Sequence, residues 1–360
     1  YKRQGRDGGS SLSSFPPVER DDWLDAPDGL IPLAGGSVTS PAGFAAGAAA
    51  CGLKDDGALD IGLLAATGDC VSAIVDTTSA LPSAAVIHTR GLAPAGLAGV
   101  VVNAGCANAG TGSPGVADAA AMATAAATTI DVPDHRLAVC STGTIGDRLR
   151  NDLVASGIAE ASRAMSPTAG TDFAEAIRTT DRFAKSGAFL LRFAGGGQVT
   201  IGAAAKGAGM IRPTMATMLA FITTDARVDA DDLSRLTAEA AAASFNQISV
   251  DGQMSPSDTL LVLASGAGAL GPGSGPLRDD NLRRFGAALR AVCRWLAIQM
   301  VKDGEGAEHA VRLRVIGAAD PAEAKAVVRA VVESSLVRTA VFGRDPYWGR
   351  VALAVGAALA

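Results

Sequence analysis

Short apolar runs of strand length alternate with alanine-rich segments of helix length along most of this 360-residue chain, and this interleaving limits the folds open to it. "LDIGLLAAT" (59–67) and "VSAIVDTT" (71–78) read as two strands flanking the turn "GDC". "AGVVVNAG" (98–105) is a buried strand entering a loop, and "HRLAVCSTGTIGD" (135–147) repeats that strand-to-glycine-loop pattern. "AFLLRF", "QVTIGAAAK", "TMLAFITTDA", "DTLLVLASG" and "VRLRVIGA" are further strands. "GVADAAAMATAAATTI" is predicted helical, "FAEAIRTTD" closes a second helix, and "ADDLSRLTAEAAAASF" opens on aspartates suited to a helix N-terminus. "LRRFGAALRAVCRWLAIQMVKDG" is a long helix, and "DPAEAKAVVRAVVESSLV" carries proline in its first turn. Adjacent strand pairs among helices favour a layered α/β (α+β) protein, with mixed sheets sandwiched with helices, over an all-α or all-β one. Aromatic residues are only 4%, so the core has to be built from Ala, Val, Leu and Ile. Residues 1–36, polar and rich in Gly, Ser and Pro, read as a flexible tail, with structure beginning near "VTSPAGFAAGAAACGLK". "GALGPGSGPLRDD" reads as a surface loop.

Charge and residue usage exclude several functions. The net charge is −5 and no Lys/Arg cluster occurs, which argues against nucleic acid as a partner. No apolar run reaches the roughly 18 residues needed to cross a bilayer, and no signal peptide is visible, so no membrane partner and a cytoplasmic location are expected. Five widely spaced cysteines without a CxxC pattern read as reduced, buried thiols. His88, His135 and His309 read as surface or loop residues outside any catalytic or zinc motif; no metal site is expected. "GAGMIRP" lacks the GKS/T of a phosphate loop, and "NAGCANAGTG" contains no GxGxxG.

With so few histidines, one route to acyl transfer is a threonine at a chain N-terminus. Its α-amino group, titrating at roughly 7.7–8.0, can act as base for its own hydroxyl. "KGAGMIRPTMATML" (206–219) can supply such a residue. Attack by the Thr217 hydroxyl on the preceding carbonyl would cut the chain between Ala216 and Thr217. The small Ala216 exposes the bond, the glycines allow unusual dihedrals and Pro213 stiffens the approach. Threonine at a strand start is ordinarily structural, so this local pattern is weak by itself.

The motifs around it are far more specific. "GFAAGAAACGLK", "VVNAGCANAGTG", "CSTGTIGD", "AIRTTD", "AKGAGMIRPTMATMLAFITTDA", "SFNQISVDGQMSPSDT", "MVKDGEGAEH" and "RTAVFGRDPYWGRVALAVG" occur in series from about Val38 onward. In this order the chain resembles the ornithine acetyltransferase family, the glutamate N-acetyltransferases of the arginine pathway. The resemblance implies an aminopeptidase/ornithine-acetyltransferase-like fold and self-cleavage into an α chain (37–216) and a β chain (217–360). It implies Thr217 as nucleophile, with acetyl transfer from N2-acetyl-L-ornithine to L-glutamate through an acetyl-threonine ester. Thr142 and Gly143 in the "STG" turn would stabilise the oxyanion, and Thr179, Lys206, Thr217 and Glu305 would contact substrate. Asn103 and Asn108 are softer candidates for the site wall. No cofactor is implied, with acetyl-CoA a substrate in some members, and the two chains would assemble as an α2β2 heterotetramer. The sequence departs from the family pattern in "TTDRFAKSG", and the closing Asn and Thr of the family's β chain have no counterpart before Ala360. An aminopeptidase-like hydrolase of the same fold, or an inactive C-terminally truncated relative, stays open on these residues.

Overall fold

The computed structural model describes residues 23–212, 218–268 and 275–360. In chain order these form β1 (Leu30–Leu33), β2 (Phe44–Ala49), β3 (Ile61–Ala66), β4 (Val71–Asp76), α1 (Ala84–Arg90), β5 (Gly99–Cys106) and α2 (Gly112–Ile130). There follow β6 (Leu137–Thr144), α3 (Asn151–Arg163), α4 (Gly170–Ala176), β7 (Lys185–Arg192), β8 (Gln198–Lys206) and β9 (Leu219–Thr224). The remainder is α5 (Ala230–Ala242), β10 (Thr259–Ala264), α6 (Asp279–Lys302), α7 (Pro321–Glu333), α8 (Ser335–Phe342) and α9 (Gly349–Ala358).

The strands form two mixed sheets, one of six in the order β1-β7-β8-β9-β10-β4 and one of four in the order β2-β3-β5-β6. Side chains alternate across each strand, so every central strand serves two cores at once. Phe221 on β9, Leu261 and Leu263 on β10, and Val100 and Val102 on β5 meet in one core that holds residues of both sheets. Ile222 and Val262 point the other way, towards Leu236 on α5 and Leu289 on α6. Ile61, Leu63 and Val101 face Met122 on α2 and Ile158 on α3. The result is a four-layer helix–sheet–sheet–helix sandwich, as the interleaved pattern suggested. α4 lies in the central core, where Phe173 meets Phe221 edge to face with ring centroids 5.3 Å apart. All five cysteines are free thiols.

Several expectations are corrected. Leu30–Leu33, assigned to the tail, pairs antiparallel with β7, and Leu24 is buried, so the ordered chain begins before residue 37. This short run holds Pro32, which an edge strand accepts because one side has no ladder to break. The strands flanking "GDC" are present but belong to different sheets, so this turn carries the chain from one sheet to the other. "VRLRVIGA" forms no strand: Val311 and Ile316 are exposed, and alternation without a neighbouring edge gives no ladder. The final predicted helix breaks at Ser334, whose hydroxyl accepts the Val337 N–H and starts α8. α1, α3 and α9 are additional helices. His88 sits on α1, half-buried, rather than in a loop, and burial lowers its pKa. Part of "GALGPGSGPLRDD" lies outside the described residues. Among those described, no helix is long and apolar enough to cross a membrane.

Candidate active site

The ends of β5, β6 and β8 open into one cavity of about 750 Å³, closed in by the loops 53–56, 179–180, 209–210 and 251–257 and by Glu305. Thr142, Gly143, Thr179, Lys206 and Glu305, five residues from four distant motifs, all line it. Ala216 and Thr217 lie outside the described residues; the flanking chain runs to Arg212 on one side and resumes at Met218 on the other.

Thr142 and Gly143 do not form a turn. They continue β6 to Thr144, where its parallel pairing with β5 shifts register around Gly105 and Cys106. Gly143 has φ +135°, and a Cβ there would fall within 3.0 Å of Gly105 C and O and Cys106 N. Only glycine permits this backbone approach. Lys206, at the end of β8 and only 3% exposed, donates from Nζ to Thr142 Oγ1 at 3.1 Å. A hydroxyl has one proton to give, so accepting from Lys206 leaves the Thr142 O–H available to donate into the cavity.

Three carboxylates fix the surrounding loops. Asp181 Oδ1 accepts the Gly207 N–H at 2.7 Å, and Oδ2 accepts the Thr179 N–H at 3.1 Å. Burial pushes the Asp181 carboxyl up, but the Lys206 and Lys185 ammoniums and the Gly207 N–H outweigh it and bring its pKa down to about 2. Burial lowers the Lys206 pKa, and Asp181 opposes that shift. Asp251 accepts the Met210 N–H at 2.6 Å and the Ile211 N–H at 3.1 Å, holding the segment that leads towards Ala216. Asp258 Oδ1 accepts the Met218 N–H at 3.1 Å, on the residue next to Thr217 in the chain. Its Oδ2 is buried and has no partner among the described residues. Burial holds this carboxyl well above the usual carboxylate range, although the Met218 N–H and Lys206 pull it down.

Glu305 is exposed on the cavity rim. Its Oε1 accepts the Thr180 hydroxyl at 2.5 Å, and its N–H donates to Ala208 O at 2.9 Å, so it hangs over the 207–210 loop. Gly209 lies directly beneath, because a Cβ there would meet the Glu305 carboxylate. A buried cation and a rim anion in one cavity of this size suit a small zwitterionic molecule.

The ArgJ family matches residues 45–360. The chain belongs to that family. An arginine biosynthesis bifunctional protein ArgJ from Symbiobacterium thermophilum is 48% identical over 330 residues, covering 90% of this chain and 80% of that protein. Its counterpart from a Synechococcus species is 41% identical over 331 residues, covering 90% and 78%. Among solved structures, ornithine acetyltransferase from Mycobacterium tuberculosis, in complex with ornithine, is 34% identical over 53% of this chain and 100% of that one, with a TM-score of 0.47.

Asn103 and Asn108 do not line the cavity. Asn103 Nδ2 donates to Cys106 O at 2.8 Å and secures the register shift. Asn108, at φ +46°, donates to Gly115 O at 2.8 Å and accepts from Thr111, shaping the loop into α2. Sequence reasoning missed Asp181, Asp251, Asp258 and Asp303, although each sits inside a quoted motif: "AIRTTD", "SFNQISVDGQMSPSDT" or "MVKDGEGAEH". The available signal was acid-bearing motifs that the Thr and Glu assignments left unused. Lys54 also lines the cavity, but its ammonium donates to the backbone carbonyls of Leu59 and Ala176 at 2.5 and 3.2 Å.

Proposed function

We propose that this chain is a glutamate N-acetyltransferase of the ornithine acetyltransferase type, activated by cleavage between Ala216 and Thr217. The observation that carries the reading is the Lys206–Thr142 hydrogen bond beside Gly143, in a cavity that Glu305 also lines. The Thr217 hydroxyl, with its own α-amine as base, attacks the acetyl carbonyl of N2-acetyl-L-ornithine. The Thr142 hydroxyl and the Gly143 N–H take the developing oxyanion. The C–N bond breaks, ornithine leaves with the proton on its amine, and an acetyl-threonine ester remains. The amine of L-glutamate attacks that ester, and N-acetyl-L-glutamate leaves. Lys206 serves a substrate carboxylate, Glu305 an amino group, and Thr179 completes the binding wall.

No cofactor takes part, and acetyl-CoA is an alternative acetyl donor. The α and β chains remain together as an α2β2 assembly acting on small molecules in the cytoplasm, with no nucleic acid or membrane partner.

The test is mass spectrometry of the purified protein combined with an acetyl-transfer assay. Two masses split at Ala216–Thr217, with N-acetylglutamate formed from acetylornithine and glutamate, are expected. Thr217→Ala abolishes both, and Thr217→Ser retains part of each. Peptide cleavage without acetyl transfer would favour a hydrolase, and transfer by Thr217→Ala would refute the mechanism.

A further inference from the structure

Three of the four residues assigned to substrate contact come from three separate segments: Thr179 after α4, Lys206 at the end of β8 and Glu305 after α6. At the rim, the Thr180 hydroxyl and the Ala208 carbonyl tie Glu305 to the other two segments. Beneath them, two buried carboxylates hold the same segments. Asp181 holds the Thr179 and Gly207 amides, the latter next to Lys206. Asp303, two residues before Glu305, caps the end of α6 and accepts from the Arg182 backbone N–H and Nε. Lys185, the first residue of β7, joins them. Its Nζ donates to Asp181 Oδ1 and to Asp303 Oδ2, both at 2.6 Å, and lies 4.9 Å from the Phe183 ring centroid. The side chains of Lys185, Asp181 and Asp303 are all 0% exposed. Lys185 does not line the cavity. It lies in "TTDRFAKSG" (179–187), four residues after Asp181.

We propose that Lys185 is a positioning residue: by drawing Asp181 and Asp303 into one buried cluster, it sets the spacing of Thr179, Lys206 and Glu305, and so the affinity for amino-acid substrate. This rests on the reading of the cavity as the acetyl-transfer site. Without the shared cation between them, the two buried carboxylates repel, and each would draw its own loop away. Lys185 therefore acts on how well substrate fits, whereas a group of purely packing value would act on stability alone.

The test uses the full chain with Lys185→Met, which keeps most of the stem and removes the ammonium. Asp181 retains the Thr179 and Gly207 amides, and Asp303 retains Arg182, so the fold has remaining support. Ile158→Ala, a cavity variant under the other sheet, is the stability control. KM, kcat and melting temperature are measured, and L-ornithine is titrated calorimetrically. Lys185→Met is expected to raise KM for both substrates and the Kd for L-ornithine by about tenfold, with kcat within about threefold. Ile158→Ala lowers the melting temperature without changing KM. Asp303→Asn removes one partner of the same cluster, is expected to shift KM in the same direction, and decides the matter if Lys185→Met is insoluble. A KM and Kd within about twofold of wild type in the deciding variant, or an equal KM rise in Ile158→Ala, overturns the proposal. If wild type binds L-ornithine but transfers no acetyl group, the function reading fails, and the Kd ratio alone decides the role of Lys185. If wild type neither transfers acetyl nor binds L-ornithine, both readings fall.

Discussion

Replacing Gly143 by alanine separates backbone placement from side-chain chemistry at the proposed oxyanion donors. The substitution adds one methyl group at φ +135°, where it meets Gly105 C and O and Cys106 N, all backbone atoms. No rotamer change can relieve that contact. β5 and β6 have to separate by about an ångström at the register shift to restore normal contact. Backbone strain at such dihedrals costs about 1–3 kcal/mol, and overpacking adds about 1–3 kcal/mol. The summed loss of roughly 2–6 kcal/mol is large against a typical domain stability of about 5–15 kcal/mol. Misplacing a catalytic group by about 1 Å costs about 10²-fold in rate, equivalent to ~2.7 kcal/mol of barrier. Gly146 is the internal control: its φ is +101°, but nothing lies within 4 Å of a Cβ placed there. Gly146→Ala feels strain without collision and should keep kcat near wild type. The assay is kcat for N-acetylglutamate formation together with melting temperature by calorimetry. Equal behaviour of the two variants, or a kcat within about threefold of wild type in Gly143→Ala, would refute the placement of this amide.

Three further substitutions probe the site. Asp181 is held at about 2 against an ordinary value of 3.8, so its ionised form contributes about 2 kcal/mol, present above pH 3.8 and lost as pH falls towards 2. Asp181→Asn should lose about that much near pH 7 in urea unfolding, with the gap to wild type closing below pH 3.8; a gap independent of pH would refute the linkage. Asp258 has the opposite sign: its folded pKa is raised, so ionisation of the unfolded chain erodes stability as pH rises above 3.8. Asp258→Asn should therefore raise the melting temperature near pH 7 and leave it unchanged below pH 3.8, and a fall near pH 7 would contradict the upward shift. Gly209→Ala brings a methyl group against the Glu305 carboxylate, whose exposed tip can swing aside. Stability should change by under about 1 kcal/mol while KM rises about tenfold, and an unchanged KM would remove Glu305 from substrate binding.

Much of the site was legible because the motif residues are polar or conformationally special amid apolar strands. Thr142 and Gly143 follow "LAVC", Lys206 ends "QVTIGAAAK", and Glu305 follows a long amphipathic helix; all of them reach the cavity. Asn103 and Asn108 looked equally suitable, but their amides serve their own loops through Cys106 O and Gly115 O. Sequence spacing cannot distinguish these uses, because a polar side chain binds whichever partner the backbone brings near.

Period-2 apolar runs and alanine-rich amphipathic segments determined, without any tertiary information, that this chain would stack mixed sheets between helices. The same pattern could not say that β3 and β4, only a turn apart, enter different sheets, because both faces of each are apolar enough to suit either. Nor could it predict Lys185 between Asp181 and Asp303, two carboxylates 122 residues apart in the chain. Local propensity acts over a few residues, whereas a buried charge is tolerated only where the completed fold supplies its counter-charges. Which residues gather at the cavity was therefore largely readable from the motifs, and the geometry that aligns them was decided only when the layers closed.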